Sequence, residues 1–334
     1  MILAADIGGT SSRIGLFEVN AGRLHAVTER IYASGGHRGL DEIVRAFLST
    51  HPQQVDHAGF AVAGPVIGGR VETPNLSWTV DAQELARDLS LPSVGLLNDL
   101  EANAHGIPAL KDKDFLVLNQ GSPDAAGNRA VISAGTGLGE AGIYWDGREY
   151  HPFAGEGGHT DFAPRTDTEV ALLHHLRGIF GGHISWERVV SGPGLAGIYE
   201  FLRDRGHGAE PPWLRDALRA GDPPAVISRA AQEGTSPLCA EAVDLFVSAY
   251  GAEAGNLALK LFATGGVYLG GGIAPKIAAA LKRGTFMEAF VAKGRLQGLL
   301  EAIPVRVILN DRTALLGAAR WTALRASLIR AGDS

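Results

Sequence analysis

The chain has a single cysteine, Cys239, in 334 residues. That excludes an internal disulfide framework and any multi-cysteine zinc site, and it fits a reducing compartment. Cys239 reads as a small packed residue. Long hydrophobic runs are missing too: the longest apolar-looking tract, Leu261 to Pro275, is shorter than a bilayer span and interrupted by glycine. No membrane segment is expected. Met1-Ile2-Leu3-Ala4-Ala5 is stopped by Asp6 and two glycines before an apolar signal core can form, so the expected location is cytoplasmic. There is no excess of positive charge either. The formal net charge is −6 and the basic residues are scattered, which excludes the electrostatic footprint of a nucleic-acid binder. His174-His175 and His183 lack the carboxylate–histidine spacing of a zinc site, and adjacent histidines point in different directions on a helix. No Gly-x-Ser-x-Gly elbow of a serine hydrolase occurs.

What is present is glycine, 45 residues, close to twice the usual share of about 7%. The excess is clustered at the ends of strand-like segments, where backbone N–H groups can approach a ligand closely. Hydrophobic residues make up 46% and charged residues 20% of the chain, so it can bury a sizeable core. The length exceeds what one core usually organises and points to two domains with a ligand cleft.

Strand and helix patterns alternate along the chain. Ile2 to Ile7 and Ser12 to Val19 read as a hairpin, Asp41 to Leu48 as a helix and His57 to Val62 as a strand. Asp81 to Leu89 reads as a helix with Asp81 as N-cap and Glu84 completing a capping-box pattern. Val94 to Leu97 is a buried strand carrying Asn98-Asp99 at its C-terminal end, where open α/β sheets keep their ligands. Phe115 to Asn119 and Ala130 to Ala134 are strand-like, and a hairpin is expected around Asp146-Gly147. Ala240 to Phe262 has strong helical periodicity and leads to the strand Val267 to Leu269. Lys276 to Leu281 reads as a helix, Val305 to Leu309 as a strand and Thr313 to Leu328 as a helix. Two α/β units, each opening with a strand and a glycine turn, suggest a duplicated architecture.

Four constellations carry candidate chemistry. In Asp6-Ile7-Gly8-Gly9-Thr10 a strand ends in a carboxylate, and glycines expose N–H groups beside a hydroxyl. This suits a phosphate, with Asp6 facing Mg²⁺ through water, or else it is an ordinary hairpin turn. Gly135-Thr136-Gly137-Leu138-Gly139 could cradle phosphates in the same way. Gly137 to Gly142 also matches the G-x-G-x-x-G of dinucleotide sites, with Asp161 near the expected offset. Ile143-Tyr144-Trp145 then continues as a strand where that motif needs a helix, so the dinucleotide reading is set aside. Gly270-Gly271-Gly272 is a third close-approach loop before a helix, or a packing corner. Asn98-Asp99 together with Glu156-Gly157-Gly158-His159 offers an amide, carboxylates and an imidazole suited to sugar hydroxyls, a carboxylate beside one hydroxyl being able to accept its proton. Alternatively Asp99 caps the following helix and Glu156 and His159 belong to a surface loop.

Taken in order, these segments resemble the bacterial glucokinase family, a branch of the sugar kinase, Hsp70 and actin superfamily. The resemblance rests on residues 5–10, 97–102, 135–139, 156–164, 187–195 and 270–275, and spans nearly the whole chain. Residues 156–164 and 187–195 are the family-specific stretches. The resemblance implies an α/β fold of the two-domain actin-like ATPase (ribonuclease H-like) type with an interdomain cleft, the small domain being 1–109 plus 307–334 and the large one 110–306. It implies ATP-dependent phosphorylation of D-glucose at the 6-hydroxyl, the first step of glycolysis, by a cytoplasmic homodimer. Asp99 would be the general base, with Asn75, Asn98, Glu156, His159 and Glu187 binding sugar hydroxyls. Ala5, Asp6, Ile7, Gly8, Gly9, Thr10, Gly135, Thr136, Gly137, Gly270, Gly271 and Gly272 would hold ATP, and Mg²⁺ would arrive with it. The cysteine cluster of zinc-containing relatives is missing, which places the chain in the zinc-free branch. Related repressors carry a helix-turn-helix before the first strand, whereas here that strand starts at Met1. The alternatives are a kinase for another hexose or an N-acetylhexosamine, and a non-catalytic sugar sensor that would be expected to lose the base or a phosphate loop.

Overall fold

Strand β1 (Ile2–Ile7) sends Ile2 and Ala4 into one apolar cluster and Leu3, Ala5 and Ile7 into another. This is the period-two alternation of a strand buried on both faces. In this computed structural model, which describes residues 1–73 and 76–330, β1 pairs antiparallel with β2 (Ser11–Asn20), forming the expected hairpin, and parallel with β4 (His57–Val62). With β3 (Arg23–Ala33) and β7 (Val94–Asn98) they make a five-stranded sheet of order β3-β2-β1-β4-β7. A two-stranded ribbon is made by β5 (Arg70–Glu72) and β6 (Thr79–Asp81).

Helices α1 (Leu40–Thr50) and α2 (Ala82–Asp88) contribute to one of the two clusters. Asp81 caps α2 by accepting the N–H groups of Gln83 and Glu84. The side chain of Glu84 lies near Arg87 instead of returning to the cap, so only half of the expected capping box forms. The other cluster is built by α3 (Asp99–Gly106) and the C-terminal helix α12 (Thr313–Arg325). A Cβ on Gly317 would lie 1.7 Å from the carbonyl oxygen of Ala102. The two helices therefore meet backbone to backbone, a spacing only glycine allows.

The chain divides into two compact units, Met1–Asp112 with Ala141–Ala154 and Asn310–Ser334, and Lys113–Glu140 with Gly155–Leu309. The second sheet contains β8 (Phe115–Asn119), β9 (Arg129–Ala134), β10 (Leu138–Trp145), β11 (Tyr150–Gly155), β12 (Gly266–Gly270) and β13 (Val305–Ile308), in the order β11-β10-β9-β12-β13-β8. Strand β12 runs parallel to both neighbours. The helices of the second unit are α4 (Asp167–Phe180), α5 (Gly192–Asp204), α6 (Pro212–Ala220), α7 (Pro223–Gln232), α8 (Pro237–Leu261), α9 (Ala278–Leu281), α10 (Thr285–Val291) and α11 (Gln297–Glu301).

Helix α8 is apolar nearly all round and forms the spine of the second core, where Cys239 is packed. It begins three residues before the periodic segment because the Ser236 hydroxyl caps it, accepting the N–H of Cys239 at 3.2 Å. Two expectations change. The helix read over Lys276 to Leu281 is a single turn, α9, preceded by turns from Gly271 to Ile277. The loop read over 135–139 ends at Gly137, because Leu138 and Gly139 already belong to β10. That strand occupies the place where a dinucleotide motif would need a helix. Among the described residues no helix is long and apolar enough to cross a membrane.

Candidate functional site

In the first unit, Asn98 closes β7 and caps α3. Its Oδ1 accepts the N–H of Leu100 at 2.9 Å and of Glu101 at 3.3 Å, while its Nδ2 donates to the carbonyl of Gly64 at 3.1 Å. The cap is therefore Asn98 and not Asp99. Asp99 is the first residue of α3, half-buried, with Oδ1 sharing the Leu100 N–H at 3.0 Å. Its carboxylate thus stands at the C-terminal end of a sheet strand and at the positive end of a helix.

The turn after β1 lies in the same unit. The N–H of Gly8 donates to Ser11 O at 3.1 Å, and Ser34 holds the turn from behind, its hydroxyl donating to Gly8 O at 2.7 Å and its N–H to Thr10 O at 3.0 Å. Ala5, Asp6 and Ile7 belong to β1 itself. Burial pushes the Asp6 carboxyl up to about 6; Arg13 opposes the shift and Asp311 adds to it. Asn75 lies outside the described residues.

In the second unit, Gly135-Thr136-Gly137 turns β9 into β10. The N–H of Gly135 donates to Gly137 O and that of Gly192, the first residue of α5, to Gly135 O, both at 2.8 Å. Glu187 is set against this turn: its Oε2 accepts the N–H of Leu138 at 3.0 Å, and a Cβ on Gly137 would come within 2.4 Å of it. Ser191 caps α5, accepting the N–H of Gly194, and donates its hydroxyl to Glu187 O at 2.7 Å.

Gly157 to His159 forms a single 3-10 turn. Gly157 packs on the carboxyl of Glu140 and Gly158 on the carbonyl of Leu138, where a Cβ would lie 1.8 and 2.0 Å away. The side chains of Glu156 and His159 are more than half exposed, with Oε2 and Nε2 3.9 Å apart. His183, weighed above as a metal ligand, instead places its two ring nitrogens 3.0 Å from Asp161 Oδ1 and His159 O and so braces this loop. Among the described residues no group of three or more His, Cys, Asp or Glu side chains could hold a metal ion.

A cavity of about 610 Å³ in the second unit is lined by Gly135, Thr136, Gly272, Lys276 and the starts of α5 and α7. It is large enough for a nucleotide-sized ligand. The glycines around it have different reasons to be glycine. A Cβ on Gly135 or Gly272 would meet nothing within 4 Å, so these two leave open space in the cavity lining. A Cβ on Gly270 would lie 2.3 Å from the Ser133 hydroxyl, and one on Gly271, whose φ is +80°, would lie 2.3 Å from Ala134 O, so both are packing corners.

The family model for glucokinase matches residues 3–325. The chain belongs to the glucokinase family. A glucokinase from Nostoc sp. is 43% identical over 338 residues, covering 97% of this chain and 99% of its own. Among solved structures, glucokinase from an Antarctic psychrotroph superposes with a TM-score of 0.81 at 32% identity, covering 97% of this chain and 98% of its own. A ROK family glucokinase from Streptomyces griseus, solved in complex with glucose and AMPPNP, superposes with a TM-score of 0.65 at 21% identity, covering 97% and 99%. The last likeness is one of fold. The two-unit α/β architecture is that of actin-like sugar kinases.

Several residues beside the cavity and the glycine turns carry no local signal in the sequence. Asp222 and Ser228 reach the cavity through the start of α7, and Ser34 fixes the first glycine turn from a segment that follows β3. The Asp-Pro-Pro run at 222–224 marks a helix start. Its position on the cavity wall follows from how α7 packs.

Proposed function

We propose that this protein transfers the γ-phosphoryl group of ATP to the 6-hydroxyl of D-glucose, with Asp99 as the general base. Family membership supports the reaction. The observation that carries the assignment of the base is the way Asn98 ties strand end to helix start, leaving Asp99 as the first carboxylate of α3. In this reading Asp99 accepts the 6-hydroxyl proton while that oxygen bonds to the γ-phosphorus and the bond to the ADP oxygen breaks. The transferring phosphoryl is electrophilic in a loose transition state, so positioning contributes more than basicity.

Asn98, Glu156, His159, Glu187 and Asn75 hold the remaining sugar hydroxyls in this reading. Asn98 still has one amide N–H to offer beyond its backbone bonds. Gly8, Gly9, Thr10 and the glycine loops at 135–137 and 270–272 hold ATP in this reading, and for Gly135, Thr136 and Gly272 the cavity they line supports it. Asp6 fits a Mg²⁺ ion delivered with the nucleotide: it offers hard oxygen donors, and a cation would favour the charged form that burial disfavours. When bound, the ion neutralises charge on the β- and γ-phosphates. No structural zinc is part of the reading, which extends to a cytoplasmic homodimer at the entry to glycolysis on the strength of the family alone.

A coupled ADP-release assay with Mg·ATP and a panel of glucose, mannose, fructose, N-acetylglucosamine and N-acetylmannosamine tests the reading. Strong preference for glucose is expected. Preference for another sugar would overturn the specificity, and no turnover by well-folded protein would make the chain a sugar sensor.

A further inference from the structure

Two buried carboxyls that the proposed reaction does not use lie beneath the loop carrying Glu156 and His159. Glu140, the third residue of β10, is 2% exposed, and Glu253, in the middle of α8, is 0% exposed. Glu253 is held on both oxygens, by Lys260 Nζ at 3.1 Å and Asn256 Nδ2 at 2.7 Å. Asn256 is fixed in turn by Lys293 Nζ at 2.6 Å, which also donates to Ala252 O at 3.0 Å.

Glu140 is placed differently. Its Oε1 is enclosed without a hydrogen-bond partner, and its Oε2 fills the space where a side chain on Gly157 would begin. The ionisable groups facing it are Glu253, Lys260 and Tyr250 from α8, with Lys293 acting on the pair through Glu253. Burial first, and the neighbouring Glu253 second, push Glu140 up to about 8. Two carboxyls at this depth do not both ionise beside one lysine, so Glu140 holds a proton at neutral pH.

Two residues of β10, Leu138 and Glu140, touch the candidate sugar carboxylate Glu187 and the loop carrying Glu156. Leu138 N–H holds Glu187, Leu138 O supports Gly158, and the Glu140 carboxyl supports Gly157. We propose that Glu140 is a positioning residue for sugar binding, its carboxyl wedged against Gly157 so that it sets where the Glu156–His159 loop stands. The proposal rests on the reading that this loop binds the sugar. When Glu140 loses its proton, the new charge is repelled by Glu253 while Oε1 has no hydrogen-bond donor, and the loop is displaced.

The test compares wild type, Glu140→Gln, Glu140→Ala and Glu156→Ala by kcat and by KM for glucose and ATP across about pH 6.5 to 9.5, with thermal unfolding run alongside. Wild type is expected to show a several-fold rise in glucose KM above about pH 8, with ATP KM nearly flat. Glu140→Gln, a neutral stand-in for the protonated acid, should keep the neutral-pH KM within about twofold and lose the alkaline rise. Glu140→Ala should raise glucose KM about tenfold with little change in kcat at saturating sugar. If it does not fold, the Glu140→Gln profile carries the test. A Glu140→Gln enzyme that keeps the alkaline rise, or a folded Glu140→Ala enzyme with unchanged KM, overturns the proposal while an effect of Glu156→Ala leaves the sugar-loop reading standing. An unchanged glucose KM in Glu156→Ala overturns that reading and the proposal with it.

Discussion

The backbone N–H of Leu138 donates to Oε2 of Glu187 at 3.0 Å, a bond between residues 49 apart in the chain that fastens the glycine turn after β9 to the segment leading into α5. Gly137 is the residue that allows it, since any β-carbon there would press on the same carboxylate oxygen. In Gly137→Ala the Glu187 side chain must move and release the Leu138 N–H. We expect a loss of about 1–2 kcal/mol of stability and a glucose KM raised about tenfold, read from thermal unfolding and steady-state kinetics. An unchanged KM would separate Glu187 from sugar binding.

Removing the proposed base should affect chemistry and leave folding alone. Asp99→Ala and Asp99→Asn are expected to lose about 10²- to 10⁴-fold in kcat with near-native melting curves. Near-normal turnover by folded Asp99→Ala would refute the assignment. Asn98→Ala should behave differently, because it removes a cap and a bond to Gly64. Its expected loss of about 1–2 kcal/mol appears in unfolding experiments as well as in rate.

The two reasons for glycine beside the nucleotide-sized cavity can be separated by neighbouring substitutions. Gly272→Leu enters open space, so stability should stay within about 0.5 kcal/mol of wild type while the ATP KM rises about tenfold or more. Gly271→Ala meets a carbonyl at a left-handed φ and should destabilise by about 1–3 kcal/mol. Equal melting shifts for the two variants would contradict this division.

Acid sensitivity should report on His105. Burial, with Arg320 as the second cause, pushes this imidazole down to about 4. The unfolded chain then binds a proton near pH 6.5 that the folded chain refuses, so the stability contribution present above that pH is lost as pH falls toward 4. Asp6, pushed up to about 6, acts in the opposite sense: its contribution grows as pH falls through that value. The comparison is therefore between variants. His105→Gln should lose less stability than wild type on acidification from about pH 7 to 4.5, and an identical slope would count against a neutral, buried His105.

Much of the site's framework was legible because it depends on near neighbours in sequence. Strand β7 ending at Asn98-Asp99 and the glycine turn after β9 follow from a short apolar run meeting residues that cap or turn. The expected Lys276 to Leu281 helix shows the limit of such reading, since the chain after Gly272 makes turns until Ala278. Asn98 as cap in place of Asp99 is a similar case: both residue types suit the position, and the bond from Asn98 to Gly64 completes the amide's role there.

By itself the sequence determined the strand and helix alternation, the cap at Asp81, and the glycine turns that follow β1, β9 and β12. Each depends on side chains within a turn or two of one another. Only the tertiary structure decided which glycines line a cavity and which merely let backbones touch, that Glu187 is held by Leu138, that His183 braces a loop, and that Glu140 lies beneath Gly157. Those outcomes depend on atoms brought together by the packing of α8 against the second sheet and of α5 and α7 on α8. A glycine or a glutamate looks the same in sequence whichever neighbour the fold supplies.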